Sequence, residues 1–219
     1  FYSWHRYFSK ISTLRDSVAD ADGLLKKYGY TDAENIFDEW NYVEDWHAQG
    51  PNYVKLKNHI GAAYCAAVLS VLQQETDVDS ATYFEGDVTK EWCGLFEVTK
   101  MAIGQNDKAE IGPLKPFYAF KAFNDMFELK NAIPAASDAD GVYACAAAHN
   151  DRIGLMAVNF DNADTDITLD MSSLPDAPLD VMLVDEQNTW TRLMRVRGSD
   201  HLTLTLPMRN NSFIYVCNA

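Results

Sequence analysis

Asn35-Ile36-Phe37-Asp38 is a short strand-like run that ends at Glu39 and leads through Trp40-Asn41-Tyr42 into a polar loop containing Gly50 and Pro51. That form, a strand ending in a loop that carries chemistry, is flanked on both sides by helical patterns. Upstream, Ile11, Leu14, Val18, Ala21, Leu25 and Tyr28 recur at steps of three and four and give one apolar helix face, and Gly29 is placed to stop it. Downstream, residues 53–74 are Ala-rich and apolar, as expected of a helix packed between a sheet and its neighbours. Residues 79–86 are the next expected strand. After an irregular stretch with Trp92, Gly94 and Gly104 comes a helix over 113–127, where a proline is acceptable in the first turn. Strands alternating with helices imply parallel βαβ construction.

At residues 131–140 the pattern breaks into small, polar and turn-forming residues, the composition of a linker. Beyond it, 142–148, 152–160, 166–171, 179–185, 191–196, 201–206 and 212–217 are short strands divided by turn residues. Leu202, Leu204 and Leu206 alternate with Thr203 and Thr205, the pattern of a half-buried antiparallel strand. The expected organisation is therefore an α/β domain over 1–130, a linker over 131–140 and an all-β domain, a β-sandwich, over 141–219.

The chain has 219 residues, 47% of them hydrophobic, enough for one large or two small cores. Its formal charge of -14 repels nucleic acid and anionic lipid, and no Lys/Arg cluster offsets it, so nucleic-acid binding is not expected. The apolar stretch around residues 62–72 is too short to cross a bilayer. Cys65, Cys93, Cys145 and Cys217 are widely spaced and read as core thiols, although Cys145 and Cys217 both lie on expected strands and an oxidising compartment would allow them to pair. Phe1-Tyr2-Ser3-Trp4-His5 has no initiator Met, basic leader or helix cap, so the chain is expected to begin inside a strand and to be a fragment or processed piece.

Glu39 stands out among the candidate reactive groups. In a parallel barrel the C-terminal strand ends make the active face. A carboxylate there, beside Trp40, Asn41 and Tyr42, suits glycoside chemistry, in which an anion attacks or stabilises an oxocarbenium-like centre while a second carboxyl protonates the leaving oxygen. Trp40, Asn41, Tyr42, Trp46 and His47 are the candidate substrate contacts around it, the aromatic ones because ring faces stack on apolar sugar faces. Glu85, Asp87, Glu91 and Trp92 follow the next strand and could close such a pocket, but a solvated acidic loop accounts for them better. His149 and His201, in the β-rich part, have no evident partners. No Ser-His-Asp set, phosphate loop or His pair at helical ligand spacing is present, so no cofactor and no metal site is implied.

The segment Asn35-Ile36-Phe37-Asp38-Glu39-Trp40-Asn41 resembles strand seven of clan A retaining glycoside hydrolases, most closely family 39, the β-xylosidase and iduronidase group. In that family a Glu preceded by a small polar residue is the nucleophile. Phe1-Tyr2-Ser3-Trp4-His5-Arg6-Tyr7 looks like its strand six, and Ala81-Thr82-Tyr83-Phe84-Glu85-Gly86-Asp87 like its strand eight, so the resemblance covers about residues 1–130 in the right order. It implies the last three strands of a (β/α)8 TIM barrel followed by the β-sandwich, with Glu39 as nucleophile and His5 and Tyr7 beside it, one orienting a substrate hydroxyl and the other holding the nucleophile ionised. Asp38 stands where Thr or Ser is usual and Phe84 where Trp is common, which bears on the sugar more than on the reaction.

The strand-four Asn-Glu pair that carries the acid/base is not among these residues, so the acid/base is expected N-terminal to Phe1 and this chain alone is expected to be inactive. The expected partners are a carbohydrate substrate and, because three strands cannot close and would leave sheet edges and an apolar face open, the N-terminal part of the barrel or another copy of the chain. The substrate class favours an extracytoplasmic, periplasmic or secreted, location. The competing expectation is a non-catalytic carbohydrate-binding or scaffold protein on a degenerate barrel.

Overall fold

A computed structural model describes residues 1–88, 92–104 and 108–218. It opens with strand β1 (Tyr2–Phe8), helix α1 (Ile11–Tyr28) and strand β2 (Asn35–Tyr42). α1 buries Ile11, Leu14, Val18 and Ala21, the face its periodicity marks out. It ends where Gly29 takes a left-handed φ of 77°, a conformation any Cβ would oppose. β2 runs past Glu39, where the sequence reading ends the strand, to Tyr42, because Trp40 and Tyr42 continue its buried face.

The single helix expected over 53–74 is two, α2 (Gln49–Lys57) and α3 (His59–Glu75). Asn58 leaves helical geometry between them and caps α3, its side-chain oxygen accepting from Ile60 N at 2.8 Å. The segment after Tyr42 is therefore partly helical. α3 is buried at every position from Gly61 to Val71, as an apolar stretch without a polar face requires.

Strand β3 (Ser80–Tyr83) pairs with β2, giving a parallel sheet in the order β1-β2-β3. The irregular stretch that follows holds a hairpin of β4 (Phe96–Lys100) and β5 (Glu110–Pro113), which ends in helix α4 (Lys115–Phe127). Pro113 closes β5, and Pro116 is the first-turn proline of α4.

The segment expected as a linker, residues 131–140, contributes an edge strand, β6 (Ala132–Ile133), because its backbone groups find partners on β7 (Val142–His149). β8 (Arg152–Asn159), β9 (Thr165–Ser172), β10 (Pro178–Val184), β11 (Thr191–Arg197), β12 (His201–Met208) and β13 (Ser212–Cys217) follow, each within two residues of its expected ends. They build a six-stranded antiparallel sheet, β11-β10-β13-β8-β7-β6, and a two-stranded layer, β12-β9. Ile167, Leu169, Met171, Leu206 and Met208 of the small layer meet Leu179, Val181, Ile214 and Val216 of the large one, which makes a sandwich.

The other face of the large sheet packs on α3 and α4, so one core runs from Phe8, Phe37 and Trp40 through Tyr64 to Cys145, Met156 and Tyr215. Small residues on α3 permit that approach, and Gln73 Nε2 donates to Ala146 O at 3.0 Å across it. The four cysteines are free thiols. Cys145 and Cys217 lie opposite Met156 and Gly154, on either side of β8, so that strand separates the pair considered for a bridge. His201, read as partnerless, stands 3.2 Å from Asp170 on the solvent face of β12-β9, while His149 is exposed. Among the described residues no helix is long and apolar enough to cross a membrane.

Candidate active site

The parallel register aligns His5 with Glu39 and Tyr7 with Asn41, but slips between Trp4 and His5, which leaves Asp38 as an extra residue on β2. Such a bulge breaks strict alternation and lets two consecutive side chains share a face. Phe37 and Trp40, three apart, both enter the core, where Phe37 stacks on Trp4 at 4.2 Å. Asp38 and Glu39, beside Ser3 and Tyr7, both project from the opposite face, which no helix among the described residues covers. Ser3 Oγ donates to Asp38 Oδ2, and His5 Nδ1 lies 3.9 Å from Asp38 Oδ1. The Tyr7 hydroxyl donates to Glu39 Oε1. The open face is therefore lined by Ser3, His5, Tyr7, Asp38 and Glu39 and is polar, where an apolar open face was expected. The backbone slip explains the difference, because a regular strand would have aimed Trp40 and one carboxylate differently.

Burial, then the hydrogen bond to Glu39 and its charge, push the Tyr7 hydroxyl well above its usual range. It therefore stays protonated at neutral pH and serves Glu39 as a donor. The order Ser3–Asp38–His5 is not that of a nucleophilic serine, because the carboxylate, not the imidazole, receives the hydroxyl proton. Just past β3, Glu85 accepts from the Cys93 thiol at 3.7 Å, and burial together with the Glu85 charge pushes that thiol up to about 12, so it is a neutral donor and not a nucleophile. The Glu85 charge lies close enough to Tyr7 to add to the field that keeps it protonated.

The other expected contacts divide. Asn41 is buried; its Nδ2 donates to Phe84 O and its Oδ1 accepts from Tyr42 N at 2.6 Å, so it ties β2 to the segment leaving β3. Trp40 and Tyr42 were expected to bind substrate, and the structure corrects both. They point to the helix side of β2, where Trp40 is 1% exposed and packs on Tyr64, Tyr83 and Phe120, and Tyr42 meets Tyr64 edge-on. Trp46 is 59% exposed and sets its ring edge-on to Tyr7 at 5.1 Å. His47 is exposed, its N–H donating to Asp45 Oδ1 at 2.8 Å. Trp92 reaches Tyr7 at 6.2 Å, and Glu91 lies outside the described residues. Ser3, Asp38 and Cys93 are the site residues that sequence reasoning missed; only the bulge, invisible in residue types, signals the first two. Among the described residues no group of three or more His, Cys, Asp or Glu is placed to hold a metal ion.

A glucosidase from Croceicoccus marinus is similar to this chain with a TM-score of 0.74 at 17% identity, over 99% of this chain and 53% of that one. The fold is the end of a (β/α)8 barrel followed by a β-sandwich. A GH39 β-xylosidase from Caulobacter crescentus matches with a TM-score of 0.63 at 14% identity, over 98% of this chain and 50% of its own. The GH39 enzyme from Xanthomonas axonopodis pv. citri matches with 0.62 at 12%, over 92% and 48%. The chain spans about half the length of these solved structures. At these identities the likeness is one of fold. No family model matches the chain, and no curated protein matches it in sequence.

Proposed function

We propose that this chain is the C-terminal part of a retaining O-glycoside hydrolase of the family 39 kind, with Glu39 as the nucleophile. The observation that carries the reading is the placement of Glu39 on the uncovered face of the last barrel strands, with one carboxylate oxygen held by the Tyr7 hydroxyl. The other oxygen is left to attack the anomeric carbon. The carbon–oxygen bond to the leaving group breaks, its electron pair leaves with the oxygen, and that oxygen takes a proton from a second carboxyl. Water, deprotonated by the same group, then releases the sugar from Glu39 with its configuration retained. In this reading the acid/base lies N-terminal to Phe1, on strands that also cover the open face; a second copy of the chain is the other candidate cover. His5, 69% exposed beside Asp38, orients a substrate hydroxyl, and Trp46 lines the approach to the carboxylate.

The test is Glu39→Gln in the full-length protein. Turnover of an activated glycoside is expected to vanish. Azide added to Glu39→Ala is expected to restore activity and to give a glycosyl azide of inverted configuration, and near wild-type hydrolysis by either variant would overturn the assignment.

A further inference from the structure

Next to Tyr7 lies a cavity of about 220 Å³ that the proposed chemistry leaves unused, lined by Val43, Trp46, Asn52, Tyr53, Leu56 and Trp92. It adjoins the carboxylate through the Tyr7 ring, which meets Trp46 at 5.1 Å and Trp92 at 6.2 Å while its hydroxyl binds Glu39. Tyr53 and Phe84 brace Trp92 at 6.3 and 5.7 Å, so the aromatic wall is built by packing of several elements.

The lining argues for the chemistry of the occupant. Asn52 is the one side-chain amide on the wall, and both its ends are committed: Oδ1 accepts from Glu44 N at 3.3 Å and Nδ2 donates to Asp45 O. The rest of the lining is the indoles of Trp46 and Trp92, the phenol of Tyr53 and the aliphatic Val43 and Leu56, a wall made mainly of ring and hydrocarbon surface. A pyranose brings several hydroxyls, and each one removed from water without a partner weakens binding. A flat apolar ring brings no such cost and stacks well on indole faces. The size also fits, since an apolar cavity of about 150 Å³ already accepts benzene.

We infer that this cavity is the site for an aryl aglycone, the phenol-type leaving group of the glycoside, held with its oxygen toward Tyr7 and Glu39. The inference rests on the glycosidase reading for its role, though not for the binding itself.

The experiment titrates 4-methylumbelliferone, without any sugar, into the full-length Glu39→Gln protein by calorimetry. Saturable binding is expected. It should weaken at least tenfold in Trp46→Ala, whose exposed side chain can be removed without disturbing the fold, and in Val43→Phe, which fills the cavity. Absence of binding, or equal affinity in both variants, overturns the inference. Competition by a free monosaccharide but none by phenol overturns it as well and assigns the cavity to a second sugar. If the probe binds as expected while wild-type protein hydrolyses no glycoside, the proposed function fails and the aryl site stands; turnover with no probe binding has the opposite meaning.

Discussion

Tyr7 lies opposite Asn41 in the β1-β2 ladder, yet its hydroxyl donates to Glu39, two residues back along β2. The bond crosses the strand pair just beyond the bulge, so the slip that brings Asp38 and Glu39 to one face also sets the distance Tyr7 must reach. A hydrogen bond to a charged group contributes roughly 1.5–3 kcal/mol net. Tyr7→Phe keeps the ring that packs on Trp46 and Trp92 and removes only the donor, so kcat/KM of the full-length protein should fall about 10- to 100-fold, at about 1.4 kcal/mol per decade. Steady-state kinetics with an activated glycoside measures this. A change of less than twofold would mean that the hydroxyl takes no part in the reaction.

The two tryptophans nearest Glu39 in the sequence separate structure from surface. Trp40 fills the core between α3, α4 and β3, and truncating a buried tryptophan costs about 3–5 kcal/mol through lost transfer energy and the cavity left behind. Trp46 is mostly exposed, and its removal should change stability by about 0.5 kcal/mol or less. Urea unfolding of Trp40→Ala and Trp46→Ala decides it. Equal midpoints for the two would contradict the assignment of Trp40 to the helix side of the strand.

The order of elements was legible because it rests on long periodic signals: the face of α1, the uninterrupted apolar run of α3, and the alternation of Leu202, Leu204 and Leu206. The placement of Glu39 on the open face was legible because it ends a strand-like run, and the C-terminal strand ends of a barrel make its open face. The facing of Trp40 was not. Reading period two from a strand taken to stop at Glu39 gives no reason to send Trp40 inward, and a bulge is a backbone event that no residue type there announces. The β4-β5 hairpin was hidden for a related reason. Its strands are short and carry exposed Val98 and Ile111 beside charged residues, so neither period dominates.

The break at Asn58 yields a prediction whose sign reverses ordinary helix propensity. Alanine is the better helix former by about 1 kcal/mol, so Gly61→Ala near the start of α3 would be expected to stabilise a free helix. A Cβ at Gly61, however, would stand 2.3 Å from Leu56 O and 2.8 Å from Lys55 O. Both atoms are backbone and cannot rotate away, so the α2–α3 junction must shift. Such overpacking costs about 1–3 kcal/mol, and the net effect should be destabilising. A thermal midpoint raised in Gly61→Ala would refute the close approach.

Alkaline stability follows from the buried acids that hold their protons. Burial pushes the thiols of Cys93 and Cys145 up to about 12 from an ordinary value near 9, in Cys93 with help from the Glu85 charge. Tyr7, Tyr64, Tyr83 and Tyr215 are likewise raised above the usual phenol value, burial being the largest cause in each. Between about pH 9 and 12 the unfolded chain therefore binds fewer protons than the folded one, and the free energy of unfolding falls as pH rises. These groups make their full contribution below about pH 9 and lose it progressively above. The urea midpoint, measured under reducing conditions, should be unaffected by them between pH 7 and 8 and should drop steadily from pH 9 to 11. Cys145→Ala, which removes one of the buried acids with a small loss of volume, should make that drop shallower. A midpoint as high at pH 11 as at pH 8 would mean that the thiols and phenols are hydrated in the folded chain, and the continuous core joining α3 to the six-stranded sheet would then be incompatible with solution behaviour.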